Sequence, residues 1–210
     1  MSKREKIAII GTGRMGQNLA KGWLKAGHEV TLGSRQPKQK QDVLNEVTGV
    51  TLANFEAALN GAEVVIIAIP YTQVEPFART YAAQLREKLV IDITNPFDNL
   101  PDNRIAGAEI TAKAIGAGAR VVAAFKDNFW ATLQEPVDPH TGLVRDVHFA
   151  GDDEADKEVV VQLIKDLGFK PVDCGPLHNA RLLDGLVPLI IELDRRYANG
   201  EFQASWKLMT

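Results

Sequence analysis

The apolar run Ile7-Ala8-Ile9-Ile10 breaks directly into Gly11-Thr12-Gly13-Arg14-Met15-Gly16. A strand that ends in G-x-G-x-x-G and gives way to a helix leaves the chain few alternatives. The first glycine makes a tight turn, the second lets a pyrophosphate approach the backbone, and the third lets the helix pack close to the strand. Helical spacing follows through Leu19, Ala20, Trp23 and Leu24, and Gly27 stands where a helix would end. The start of such a helix offers free N–H groups and a positive dipole end. Gly11, Gly13 and Gly16 are therefore expected to hold a dinucleotide. A strand, turn and helix packed for structure alone would also use these glycines, but the flanking pattern favours the cofactor.

A second strand, Glu29–Leu32, leads to Gly33-Ser34-Arg35. A site for NAD usually places an acid near this point to hold the ribose 2′-hydroxyl. None is present. Ser34 can donate a hydrogen bond to a 2′-phosphate and Arg35 can pair with it, while Lys38 and Lys40 add positive charge. The pattern predicts NADP(H) over NAD(H).

Further apolar runs recur at 64–69, 89–93, 120–125 and 146–150, with helical patterns near 13–26, 36–46, 54–60, 73–87 and 107–116. Runs as continuous as Val64-Val65-Ile66-Ile67-Ala68-Ile69 suit parallel strands covered on both faces. The alternation predicts an α/β, Rossmann-type, doubly wound and mainly parallel sheet. Residues 1–150 would form the dinucleotide-binding domain. Residues 151–210 would form a small α/β extension, with a helix after Gly151-Asp152-Asp153-Glu154 and a short strand at Lys170–Asp173. The tail, from Leu182 to Leu193, is apolar around much of a helical circumference, so it should cap the substrate pocket, form a homodimer interface, or both. Pro188 predicts a kink or break there.

Net charge is −3, which gives no basic field for nucleic acid. No apolar run reaches the ~18–20 residues of a membrane-spanning helix, and the opening Met1-Ser2-Lys3-Arg4-Glu5-Lys6 does not read as a secretory signal. The single cysteine, Cys174, reads as a small packing residue, and no Cys/His spacing implies a metal. A cytoplasmic protein is the expectation.

In an open α/β sheet ligands lie beyond the carboxyl ends of the strands. Three such ends should face the nicotinamide: Ile69-Pro70-Tyr71, Thr94-Asn95-Pro96 and Phe125-Lys126-Asp127-Asn128. Ile69 and Pro70 suit a ring wall, and Asn95 suits a carboxamide or a polar substrate group. Reduction of a carbonyl or imine also needs a proton donor. Tyr71, Lys126 and His178 are candidates, but no spacing commits one of them. His28, His140 and His148 read as surface or core residues. Hydride passage between two stacked rings would need positioning alone.

The dinucleotide loop, Gly33-Ser34-Arg35, Ala68-Ile69-Pro70-Tyr71, Gly151-Asp152-Asp153-Glu154, Val172-Asp173-Cys174-Gly175-Pro176-Leu177 and Arg181-Leu182 together resemble the F420-dependent NADP oxidoreductase family, across almost the whole chain. The reductase domain of the membrane ferric reductases called STEAP proteins is similar too. The resemblance implies that Thr12, Arg14 and Met15 touch the pyrophosphate side, that Ser34 and Arg35 take the 2′-phosphate, and that Ile69, Pro70 and Tyr71 lie beside the nicotinamide. It implies direct hydride transfer to a deazaflavin, and Lys126, Asn128, Pro176 and Leu177 are expected on the substrate side. Two positions differ from the family pattern. Gln36 follows Arg35 where a second arginine often stands, and Lys126–Trp130 departs from the usual substrate-side loop. The second substrate is left open among F420, a flavin and a small organic molecule. An NADPH-dependent reductase of a small imine or carbonyl, and a non-catalytic NADP(H) sensor, stand as alternatives.

Overall fold

The computed structural model describes residues 3–96 and 105–210, so Met1 and Ser2 lie outside the described residues. The strands are β1 (Lys6–Ile10), β2 (Glu29–Gly33), β3 (Thr51–Ala53), β4 (Val64–Ile67), β5 (Leu89–Asp92), β6 (Arg120–Ala124), β7 (Asp146–Gly151) and β8 (Lys170–Asp173). They form one sheet in the order β3-β2-β1-β4-β5-β6-β7-β8. Every pairing is parallel except β6 with β7. The described residues thus have the expected doubly wound, mainly parallel α/β fold. β7, which spans residues 150 and 151, pairs with both its neighbours, so the sheet is continuous from the dinucleotide half into the C-terminal segment.

The helices are α1 (Arg14–Lys25), α2 (Asp42–Glu46), α3 (Phe55–Asn60), α4 (Val74–Thr80), α5 (Ala82–Leu85), α6 (Gly107–Ile115), α7 (Glu154–Asp166) and α8 (Ala180–Tyr197). The central strands are apolar at nearly every position, Lys6 and Asp92 apart, because alternate side chains feed two different cores. Ile7, Ile9, Ile66 and Ile91 pack with Trp23 of α1 and Leu163 of α7 on one face. Ala8, Ile10, Val65 and Val90 pack with Leu59, Phe77 and Leu183 of α3, α4 and α8 on the other. Local capping agrees with this arrangement. Asn54 accepts the Ala57 N–H at the start of α3, and Asp153 accepts the Asp156 N–H at the start of α7.

Several sequence expectations change. The 36–46 segment is a 3₁₀ turn at Pro37–Gln39 followed by the short α2; Pro37 opens the turn at a first-helical position, and the segment divides at Lys40. The 73–87 pattern divides at Tyr81 into α4 and α5. β3 has only three residues, too few for a periodic signal. β4, β5 and β6 each stop one or two residues before their apolar runs do. α8 passes unbroken through Pro188, contrary to an expected break. It is also less evenly buried than its composition implies: Leu183, Val187 and Ile190 are buried, while Leu182 and Leu189 are 67% and 48% exposed.

β1 leads outward to β2 and β3 on one side of the sheet, and β4 opens the other side. Their carboxyl ends flank the crevice where strand order reverses, the place such folds reserve for a ligand.

Candidate active site

Each glycine of the first turn has its own physical reason. Gly11 has φ 127°, and a Cβ there would lie 2.3 Å from the Ala68 carbonyl oxygen. Its N–H donates to the Gly33 carbonyl at 2.9 Å, which binds the first turn to the end of β2. A Cβ on Gly16 would meet the Gly11 oxygen at 2.7 Å. Gly13 differs, because nothing lies within 4 Å of its Cβ position. Packing does not explain that glycine, whereas an approaching phosphate does. No side chain caps α1, so the N–H groups of its first turn have no capping partner to displace. The loop fits a dinucleotide pyrophosphate.

Ser34 follows β2. Its N–H donates to Ala53 and its Oγ accepts the Gln36 N–H. Arg35 is exposed and, among the described residues, has no carboxylate partner. Lys38 and Lys40 are exposed close by in sequence. A hollow of about 280 Å³ runs from Arg35 past Phe55 and Tyr81 to Ile69 and Pro70.

Ile69 and Pro70 also line a larger cavity of about 550 Å³, within the usual size range of small-molecule sites. Tyr71, Asn95, Lys126 and Asn128 border it, as does Met15 from the dinucleotide loop. Three strand ends therefore converge as the topology requires. Phe125 turns the chain off β6 with φ 54°, a left-handed backbone that a bulky residue seldom adopts. This turn delivers residues 126–130 to the cavity wall. Asn95 braces them by donating from Nδ2 to the Lys126 carbonyl at 2.7 Å.

The Lys126 ammonium is committed beneath the cavity. It lies 3.2 Å from Asp184 and 3.6 Å from Asp92, with all three side chains buried, and it donates to the Thr94 carbonyl. Asp92 also accepts from Thr94 and Thr111, and Asp184 accepts the Gly107 N–H at 2.8 Å. The network ties β5, the end of β6, α6 and α8 together. Burial, with the charges of Asp184 and Asp92, raises the Tyr71 phenol above its ordinary range, so Tyr71 stays protonated. Asp127 is held from behind by His148 at 2.8 Å.

Other sequence candidates lie elsewhere. Pro176 and Leu177 do not border the cavity: Pro176 is exposed, and Leu177 is buried in the second core with its N–H on Asp152. Pro96 is buried and His178 is exposed, and neither lines the cavity. His28 is a buried histidine bonded to Asp166, and His140 is exposed. Cys174 packs against the second core. Among the described residues no group of acids, histidines and cysteines could hold a metal ion, and no helix is long and apolar enough to cross a membrane.

The sequence reading missed Asp92, Asp184 and Phe202. A lone acid inside an apolar run, as in Val90-Ile91-Asp92-Ile93, was the available signal for Asp92. The other two carry no comparable mark.

The family model described as "NADP oxidoreductase coenzyme F420-dependent" matches residues 6–96. The F420-dependent NADP reductase of Methanothermobacter thermautotrophicus is 30% identical over 91% of this chain and 90% of its own length. This chain belongs to the F420-dependent NADP reductase family. The members it matches are named as oxidoreductases. A solved structure described as a putative F420-dependent NADP reductase from Arthrobacter sp. FB24 superposes with a TM-score of 0.88 at 29% identity, covering 98% of this chain and all of that one. The rat metalloreductase STEAP3 is 29% identical over 86% of this chain, which spans 36% of that protein's length. The family-model match covers the dinucleotide half and stops before the Lys126–Trp130 wall.

Proposed function

We propose that this protein binds NADP(H) along Gly11–Gly16 and Ser34–Arg35 and passes hydride between the cofactor and a deazaflavin or flavin ring. The observation that carries this reading is one crevice in which the dinucleotide loop, the hollow at Arg35 and a mostly apolar cavity meet at Ile69 and Pro70. NADPH, when bound, supplies the hydride. The chain's own residues hold the diphosphate on uncapped N–H groups, read the 2′-phosphate with Ser34 and Arg35, and exclude water with Ile69, Pro70 and Phe125. Thr12, Arg14 and Met15 flank the diphosphate, Lys38 adds positive charge, and Tyr71, Asn95, Lys126 and Asn128 face the acceptor. Lys126 is held by two carboxylates and is not free to deliver a proton. Tyr71, protonated and beside the cavity, is the acid that reduction of a carbonyl or imine would use, whereas transfer between two rings needs only positioning.

The test is loss of reduced-nicotinamide absorbance with F420, FMN, FAD, a simple ketone and a cyclic imine. Turnover with F420 or a flavin is expected. Turnover confined to the ketone or imine, or tight NADPH binding with no turnover, overturns the proposal.

A cytoplasmic homodimer completes the reading. Along α8, Leu182, Leu186, Leu189, Leu193 and Tyr197 recur at three- and four-residue intervals, with Leu186 packed partly against the second core. Leu182, Leu189 and Tyr197 are exposed. A second copy related by a two-fold axis presents the same stripe. Light scattering that finds a monomer at micromolar protein removes the dimer.

A further inference from the structure

The chain beyond α8 is fastened at several points. The buried Asp194 carboxylate accepts three successive N–H groups, from Phe202 at 2.9 Å, Gln203 at 2.8 Å and Ala204 at 2.9 Å. Farther on, the buried Arg145 guanidinium donates to the Gln203 carbonyl at 2.8 Å and to Ser205 Oγ at 3.0 Å. Asp146 then accepts the Leu208 N–H at 2.7 Å and pairs with Lys207. Three buried charges thus hold a strap of about ten residues against the mouth of the site.

Phe202 is the residue this strap presents. It has φ 59°, a left-handed backbone that an aromatic residue rarely occupies without external restraint. Its ring lies 5.4 Å from that of Phe129, edge to face, and 6.0 Å from that of Trp130. All three line the large cavity. A tail fixed only to complete the core would bury its aromatic ring, yet Phe202 is 40% exposed. A fixed backbone with a part-open ring beside two other rings is the form of a binding surface. The wall also continues into the dinucleotide loop. The Arg14 guanidinium lies 4.5 Å from the Trp130 ring centre, and Asn18 of α1 donates to the Trp130 carbonyl at 2.7 Å.

We infer that Phe202, with Phe129 and Trp130, is the acceptor-side wall of this oxidoreductase, selecting a planar aromatic ring, and that Asp194 and Arg145 are its positioning residues. The inference rests on the hydride-transfer reading for the word acceptor. The wall itself is tested by binding, with no turnover required.

The experiment titrates protein saturated with NADP⁺ with oxidised F420, and separately with FMN, following ring fluorescence. Phe202→Ala should weaken ring binding about tenfold, leave the NADP⁺ dissociation constant unchanged, and be rescued by Phe202→Tyr. Phe202→Leu, which keeps apolar bulk without the ring, should match the alanine variant. Asp194→Asn should give the same selective loss, with faster hydrogen exchange confined to 199–208. Equal ring affinity in wild type and Phe202→Ala overturns the inference, as does a matching loss of NADP⁺ affinity. Wild-type protein that binds a ring without exchanging hydride overturns the hydride-transfer reading and leaves the wall standing. Wild-type protein that binds neither ring overturns both.

Discussion

Gly11 and Gly13 stand two residues apart and answer to different forces. A methyl on Gly11 meets a backbone carbonyl at 2.3 Å in a backbone region that disfavours side chains. Gly11→Ala should therefore lower stability by at least ~2 kcal/mol, read by urea unfolding. Gly13 has extended-to-helical φ of −77° and open space at its Cβ. Gly13→Val should keep the fold and lose both NADPH and NADH, because only the ligand needs that space. Arg35 separates the two cofactors. Arg35→Ala should weaken NADPH by roughly 1.5–3 kcal/mol while leaving NADH nearly unchanged, measured by calorimetric titration. Equal losses would show that Arg35 does not read the 2′-phosphate. The turn at Gly11 was legible in the sequence because glycine spacing marks its backbone geometry, although the carbonyl that crowds it belongs to Ala68, beyond β4.

At the scale of elements, the site hangs on how the ends of β5, β6 and α8 meet. Lys126 joins them, and its removal leaves Asp92 and Asp184 buried without a cation. Lys126→Met should destabilise the protein by about 3–5 kcal/mol, and adding Asp184→Asn should recover part of that loss. Pro188 makes the opposite case. α8 continues through it, so the helix lacks the N–H that would reach the Asp184 carbonyl. Pro188 is exposed, and Pro188→Ala should raise stability by about 1–3 kcal/mol, seen as a higher melting temperature. Pro188 was visible in the sequence, and of the kink or break expected there the break does not occur. Packing of Leu183, Val187 and Ile190 holds the helix together where local propensity alone would divide it.

At the scale of the molecule, stability should follow the pairing of His148 with Asp127 across the β6–β7 connection. Burial opposes charge on His148, but the hydrogen bond and charge of Asp127, with Asp146, outweigh it, and the imidazole holds its proton above its ordinary value of 6.5. The folded value is raised, so the stabilisation is full below the unfolded value and fades as pH rises through the folded one. The stability gap between wild type and His148→Asn should therefore be wide near about pH 6 and narrow by about pH 9, measured by urea unfolding. A gap that widens with pH would show that the pair does not titrate this way.

The sequence by itself determined the dinucleotide turn, the preference for a 2′-phosphate, the parallel sheet and the three strand ends that line the crevice. Each follows from short-range patterning: glycine spacing, apolar runs, and the missing acid after β2. Only the tertiary structure decided what faces the cofactor. It buried Lys126 between Asp92 and Asp184, sent Leu177 to the core, and brought Phe202 beside Phe129 and Trp130, more than 70 residues earlier in the chain. Those contacts arise from two-sided burial on the sheet and from a strap fastened by distant charges, and neither leaves a periodic mark in the sequence.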